Sequence, residues 1–373
     1  MKSPSDSVSQ LTRRLQTLHG TLQRMQPDLA RVAVALYDPD SNALRTYAYS
    51  TQAHNPLTHY AVPLKAVPSL QALAASGESR VIDDLSRLEG GGEHTQALLA
   101  AGLRSSFTLP IHRGNELLGF IFFNSTRTAA FPKHLRPSLE IAAYAVSLLV
   151  INEQAEVRTL QASLKTALEV AHHRNPETGE HLQRMTRYTR LIATALAEDL
   201  GLSDEYIEHL VLFSALHDIG KISIPDAILL KPSRLTVEEF EIMKSHTWRG
   251  RTLVDALIKN HALESLDYIE ILGNIVDGHH ECWDGSGYPA GLAGEAIPLE
   301  ARIVAVGDVF DALTNERAYK DRLSNEEAFA IIDRMRGVKL DPACVDAFCA
   351  HRAEVEQIQA ELSADSTPDL AAG

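Results

Sequence analysis

Two dipeptides, His217-Asp218 and His279-His280, each close an apolar run of helical character, "VLFSALHD" and "IEILGNIVDGHH". A chain that buries such runs must also place the acid and imidazole groups at their ends. An ionised carboxylate without a partner is costly in an apolar interior, and so is an unpaired imidazole. Asp308 and Asp311 sharpen the problem, because "VGDVFDAL" sets both within an apolar helix. His246 follows "EIMKS", and Glu177 and His181 in "PETGEH" stand four apart, on one helical face. Taken singly, each has a plain explanation. A histidine after a helix serves as a cap, an aspartate in a helix pairs with a cation, and a carboxylate near a helix start is favoured by the dipole. Taken together, acid and imidazole groups at the ends or mid-faces of four or five helices are most simply explained by convergence on metal.

The donor set is nitrogen and oxygen without thiolate. That favours Mn, Fe, Ni or Zn over a cysteine-type structural zinc, and over Mg or Ca with their all-oxygen shells. Eight candidates (Glu177, His181, His217, Asp218, His246, His279, His280 and Asp308) are too many for one ion. Two or three ions bridged by carboxylate and water would use them. A bridged pair roughly 3.5 to 4 Å apart activates water and stabilises both oxygens of an in-line phosphoryl displacement.

A chain of 373 residues has length for two domains. Its net charge of −14 speaks against a general nucleic-acid or membrane-surface role, since either needs a basic face. A phosphate ligand would depend on local cations, bound metal ions among them. The opening "MKSPSDSVSQ" lacks the apolar run of a secretory signal. The longest apolar stretch, residues 141–151, is short of the roughly 18 to 20 residues that span a bilayer. Cys282, Cys344 and Cys349 have no metal-type spacing and fit a reducing compartment. The expectation is a cytoplasmic protein with no membrane insertion and no DNA partner.

Along the chain, "RVAVALYDPDSNALRTYAYS" and "SSFTLPIHRGNELLGFIFFNS" each read as strand, turn, strand, with helical stretches around them. This predicts an α+β domain, an antiparallel sheet with helices, over residues 10–150. The region resembles a GAF domain, a sensor module for small ligands. The resemblance rests on "RVAVALYDPDSNALRTYA", "ESRVIDDL", "AAGLRSSFTLPI" and "ELLGFIFFNS". It implies a small ligand of unknown identity, and no cysteine lies in this half to attach one. His54, His59, His94, His112 and His134 are scattered and read as surface or turn residues.

Residues 138–173 read as one long connector helix. Val150, Val157, Leu164 and Ala171 share a heptad position; Val146, Leu160 and Ala167 share its partner, which Glu153 interrupts. This predicts a short coiled coil and a homodimer, against the plainer reading of a connector packed on its own domains. Residues 174–362 form an all-α domain. Asn175 and Pro176 are suited to start one helix, and Thr236 with Glu239 forms a capping box for another. The tail, residues 363–373, lacks the apolar content to fold.

The helical half is identified as a member of the HD-GYP family of cyclic dinucleotide phosphodiesterases. "HDIGKISIPDAILLKP", "HHECWDGSGYPAGLAGEAIPLEARIVAVGDVFDALT" and "ERAYK" carry the resemblance over residues 174–350. It implies an HD-type fold and cleavage of cyclic di-GMP to linear pGpG, and on to GMP in many members. It implies two or three divalent ions, iron or manganese. The ligands carried over are His181, His217, Asp218, His246, His279, His280 and Asp308, with Asp218 bridging. Glu177 matches a glutamate that helps to hold a third ion in a subset of the family, so a trinuclear site is favoured. Lys221 would point at the scissile phosphate, and Arg317 and Lys320 at the other phosphate or a guanine. Gly287, Tyr288 and Pro289 would line the substrate cleft, where a diguanylate cyclase is a candidate docking partner. Two departures touch no ligand: Ala318 stands where proline is common, and "GVKLDP" replaces a more usual glycine-threonine-glutamine-phenylalanine-aspartate-proline pattern.

Three other readings compete. The substrate could be 3′,3′-cyclic GMP-AMP, the domain could be a non-catalytic dinucleotide-binding or docking module, or it could be a generic HD-type nucleotidase. Loss of ligands would signal the second, and all eight are present. The GYP loop speaks against the third.

Overall fold

The computed structural model describes residues 8–39, 41–88, 92–172, 179–264, 266–315 and 322–365. The chain divides into two compact units, Met1–Val157 with Ser203–Glu205, and Arg158–Leu202 with Tyr206–Gly373.

The first unit is α+β. Its elements run α1 (Gln10–Met25), β1 (Leu29–Asp38), β2 (Ala43–Thr51), β3 (Ala61–Pro63), α2 (Pro68–Ser76), β4 (Arg80–Ile82), α3 (Glu93–Ala100), β5 (Ser105–Arg113) and β6 (Glu116–Ser125); α4 (Arg136–His172) follows. Six strands form one sheet in the order β3-β2-β1-β6-β5-β4, each neighbour antiparallel. The two hairpins read from the alternating sequence are β1–β2 and β5–β6. Successive side chains leave a strand on opposite faces. One face sends Val32, Tyr47, Phe107, Ile121 and Phe123 into a core with Leu15 of α1 and Leu139 of α4. The other carries Leu44 and Phe120 beneath Leu64, Val67, Leu70 and Leu73.

The connector α4 departs from the expected seam. Val146 and Val150, assigned to a dimer interface, belong to the first unit's own core, and Val157 and Leu160 are also buried within the single chain. Glu153 breaks the pattern because its carboxylate has a partner of its own, accepting a 2.6 Å hydrogen bond from the Tyr47 hydroxyl. Among the described side chains of α4, the large apolar ones left in solvent are Ile141, Tyr144 and Leu148, on a different face; those of Leu164, Ala167 and Ala171 lie outside the description.

The second unit is helical: α5 (Gly179–Leu200), α6 (Asp204–Ser214), α7 (Asp226–Leu229), α8 (Val237–Lys244), α9 (His246–Asn260), α10 (Ile269–Gly278), α11 (Leu299–Thr314), α12 (Asn325–Met335), α13 (Pro342–Ala350) and α14 (Arg352–Asp365). The capping box of Thr236 and Glu239 starts α8, and a second, of Ser324 and Glu327, starts α12. α14 continues to Asp365, past the boundary expected at residue 362. The rest of the tail lies outside the described residues, as do Asn175 and Pro176. Tyr188, Phe310, Phe329 and Phe348 pack as an aromatic core, with ring centroids 4.8 to 5.8 Å apart in the contacting pairs. Such pairs add about 0.5–1.5 kcal/mol each beyond the area they bury. This core locks α5 against α11, the helices that carry His181 and Asp308. No helix among the described residues is long and apolar enough to cross a membrane.

Candidate metal centre

An α-helix leaves the carbonyls of its last turn without intrahelical partners. Three histidines of this unit bond back to carbonyls near such ends, beside the backbone donors that Ser214 O and Ile275 O also receive. His217 Nδ1 donates to Ser214 O at the end of α6 (2.9 Å), His246 Nδ1 to Met243 O of α8 (2.8 Å), and His279 Nδ1 to Ile275 O of α10 (2.9 Å). A carbonyl only accepts, so Nδ1 carries the proton in each neutral ring and Nε2 keeps its lone pair. His181, near the start of α5, reaches the same state through Asp311: its Nδ1 lies 2.7 Å from Asp311 Oδ2. Arg184 holds that carboxylate from the other side, Nε to Oδ1 at 2.5 Å.

The Nε2 atoms converge. The ligand atoms of Asp218, His246, His279 and His280 lie within 4.8 Å of one another, and so do those of His181, His217 and Asp308. Asp218 stands between the groups. Its Oδ1 is 3.3 Å from His246 Nε2 and 3.7 Å from His279 Nε2, while its Oδ2 is 3.2 Å from His217 Nε2. His217 Nε2 is 3.9 Å from Asp308 Oδ1. Seven of the eight ligands expected from sequence therefore gather at two adjoining positions. The eighth, Glu177, lies outside the described residues, as do Arg317, Ala318 and Lys320.

These residues suit metal. His181 Nε2, His246 Nε2, His279 Nε2 and Asp218 Oδ1 are shut off from solvent and have no hydrogen-bond partner. Buried polar atoms are almost always satisfied, and these orphans, His181 Nε2 in one donor group and the other three in the second, match the coordination shells of ions. Protonation agrees. Burial drives the His246 pKa down to about 4, and burial with the neighbouring His279 pushes His280 far down. Burial opposes ionisation of Asp218, but Lys221 and His217 outweigh it and hold the carboxyl well below its usual range. Neutral imidazoles and an ionised carboxylate are the forms that bind metal.

Close backbone approach brings the pieces together. A Cβ on Gly220 would sit 1.8 Å from His246 O, so only glycine lets the turn after Asp218 lie against α9. A Cβ on Gly287 would meet Cys282 N at 2.2 Å, so this loop glycine rests directly on the backbone after the histidine pair. Tyr288 N donates to His280 O at 3.2 Å, the Tyr288 ring lies 4.9 Å from the His280 ring, and the Tyr288–Pro289 peptide is cis. Gly287, Tyr288 and Pro289 are thus beside the candidate metal ligands. Lys221 Nζ sits on Asp218 Oδ2 at 2.6 Å. In the divergent segment "GVKLDP", the carbonyls of Val338 and Lys339 receive Asp284 N and Trp283 N at 2.8 and 3.0 Å. It supports the loop through backbone, which any side chain there would allow.

Four neighbours lie outside the sequence-predicted set. Glu281 is buried and accepts from three successive loop amides: Ala290 N (2.7 Å) and Gly291 N (3.1 Å) at Oε1, and Leu292 N (3.0 Å) at Oε2. Asp311 orients His181, as described. Phe240 and Lys244 of α8 border the loop, with Lys244 Nζ 5.1 Å from the Phe240 ring centroid and 5.6 Å from that of Tyr288. Lys244 also pairs with Glu241 at 2.7 Å. Phe240 and Lys244 stand four apart on the helix before His246, a spacing that could have marked them.

Residues 13–150 match the GAF domain family model and residues 170–344 the HD domain family model. The cyclic di-GMP phosphodiesterase response regulator RpfG of Xanthomonas campestris pv. campestris is 40% identical over 250 residues, covering 63% of this chain and 64% of that protein. A cyclic di-GMP phosphodiesterase of Vibrio cholerae is 43% identical over 202 residues, 53% of this chain and 41% of its own. A 3′3′-cGAMP-specific phosphodiesterase 2 of the same species is 35% identical over 233 residues, 61% of this chain and 42% of its own. The chain therefore spans under two thirds of each of these relatives. Together the sheet unit, the helical unit and the two family matches identify this chain as a GAF domain joined to an HD domain.

Proposed function

We propose that this chain is a metal-dependent phosphodiesterase that opens cyclic di-GMP to linear pGpG, with GMP as a further product. One observation carries the reading: two imidazole–carboxylate groups adjoin through Asp218, with the Gly287–Pro289 loop set on His280 beside them. The names of the relatives support it.

His181, His217 and Asp308 would hold one divalent ion, and His246, His279 and His280 another, with Asp218 between them. Iron or manganese suits the mixed donors. Glu177 would contribute to a third. When bound, the ions lower the pKa of water and neutralise charge on phosphate. The chain's own residues then position the substrate. Lys221, held on Asp218, places a positive charge at the edge where the scissile phosphate would lie. Burial, with Asp218 and Asp308 nearby, keeps the Tyr288 hydroxyl protonated, so it can donate. Lys244, Arg317 and Lys320 would supply further local cations in a chain of net charge −14. Water attacks phosphorus in line with the 3′ oxygen and leaves a 5′ phosphate on the linear product. The GAF domain would set the rate, and a homodimer would use the exposed stripe of Ile141, Tyr144 and Leu148 on α4 in place of the buried seam.

The cGAMP-specific relative makes 3′,3′-cyclic GMP-AMP the second substrate to test. Protein purified without oxygen should contain at least two transition-metal ions per chain and turn over cyclic di-GMP faster than cyclic GMP-AMP. Metal-loaded protein that cleaves neither would refute the proposal; faster cyclic GMP-AMP turnover would reassign the substrate.

A further inference from the structure

Every side chain of α8 is at least partly exposed. Yet the helix is firmly held. The capping box of Thr236 and Glu239 fixes its start, and in its last turn Met243 O accepts from His246 Nδ1 at 2.8 Å. Phe240 is nonetheless 46% exposed, and Val237, one turn earlier on the same face, is exposed too. Grouped apolar surface of this kind marks a place where something binds.

A line of rings joins this helix to the candidate metal ligands. The centroids of His246 and His280 are 5.1 Å apart, those of His280 and Tyr288 4.9 Å, and those of Tyr288 and Phe240 6.5 Å. The last two rings stand at 81° and form a corner. Lys244, four residues after Phe240, brings charge to it: its Nζ lies 5.1 Å from one centroid and 5.6 Å from the other. Its ion-pair partner, Glu241, is 62% exposed. An exposed pair contributes little, so the ammonium can exchange it for a ligand acceptor at small cost.

The chemistry of the corner selects what enters. Aromatic rings favour the face or edge of another ring. An ammonium donates and cannot accept. The matching group is a purine whose edge carries adjacent acceptors. Guanine has them in O6 and N7, whereas adenine sets an N6 amino donor beside N7, and that donor would oppose the ammonium. In a nucleotide one ribose separates phosphate from base; here one ring, Tyr288, separates His280 from the corner.

We propose that Phe240 and Lys244 read a guanine of the substrate. The purine rests against Phe240, and Lys244 Nζ donates to O6 and N7. This rests on the phosphodiester reaction proposed above and adds which side chains choose the base.

The test uses full-length, metal-loaded protein. It measures KM for cyclic di-GMP and the inhibition constant of cyclic di-AMP against that reaction; their ratio is the preference for guanine. Lys244→Met keeps the apolar stem and removes the donor. The preference should fall about tenfold, through a higher KM and a lower inhibition constant. Phe240→Ala should raise both constants together, about tenfold, because stacking does not tell the purines apart. Melting temperature and metal content should match wild type in both variants. An unchanged preference in Lys244→Met would overturn the proposal, as would equal weakening of both ligands there, the mark of a phosphate contact. So would unchanged constants in Phe240→Ala. Metal-loaded wild type that cleaves no cyclic dinucleotide refutes the reaction and the guanine contact with it; turnover with an unaltered preference refutes the guanine contact alone.

Discussion

In the helical unit seven candidate metal donors come from five helices: His181 from the start of α5, His217 and Asp218 from just after α6, His246 from the start of α9, His279 and His280 from just after α10, and Asp308 from within α11. In the sheet unit, Arg31, Asn124, Ser106 and Ile82 line one cavity because strand register sets them side by side. The first design is concentrated. His217, His246 and His279 are each fixed by a hydrogen bond to a carbonyl three or four residues earlier, and His181 by the carboxylate of Asp311. The second is distributed, because many side chains share one face. Single substitutions should therefore hurt the metal centre far more than the cavity.

The largest effect should come from Asp218→Ala, which removes the carboxylate between the two donor groups. Metal content should collapse and turnover of cyclic di-GMP should fall about a thousandfold or more; full metal occupancy by elemental analysis would break the contrast. Next comes Asp311→Asn, which touches no metal. It releases His181 from its orienting partner, so metal affinity should fall about 10- to 100-fold while His217 stays in place. Chelator competition measures this, and a change below twofold would mean that the helix alone orients the ring. Smaller again is Lys244→Ala, expected to raise KM a few-fold, about 1 kcal/mol, with kcat held, because this cation borders the loop away from the donors. A fall in kcat at constant KM would place Lys244 in the chemistry.

The smallest effect concerns buried histidine in the sheet unit. His19 bonds Ser50 and Leu29 O, and burial lowers its pKa below the usual 6.5. The unfolded chain then takes up a proton that the folded one resists. Stability should fall as pH drops through and below 6.5, and be constant above it. Melting curves of His19→Gln should have a shallower acid limb; an identical limb would assign the sensitivity elsewhere.

The same contrast explains what could be read in the sequence. Helix ends are local, so "HD" and "HH" after apolar runs stood out, and Asp308 did so inside one. Glu281 is harder to read, and Asp311, marked by its apolar surroundings, does not show its partners, because those partners lie 9 to 11 and 127 to 130 residues away. The cavity could not be read at all. Arg31 and Arg80 are ordinary strand residues until register brings them under one roof. The α4 seam misled for a related reason: heptad spacing names a buried face but not what covers it, and Val146 and Val150 face their own unit's core.

Glu281 has one more consequence. The tripeptide His279-His280-Glu281 carries two candidate metal donors and, on the next residue, the anchor of the loop from Ala290 to Leu292. In the proposed reaction, the distance from the ions to the cleft wall would therefore be set by a single peptide unit, with no hinge between the donors and the loop. A change of substrate would then have to come from side chains along that wall, since rerouting its backbone would strip Glu281 of its amides and disturb the histidines it adjoins.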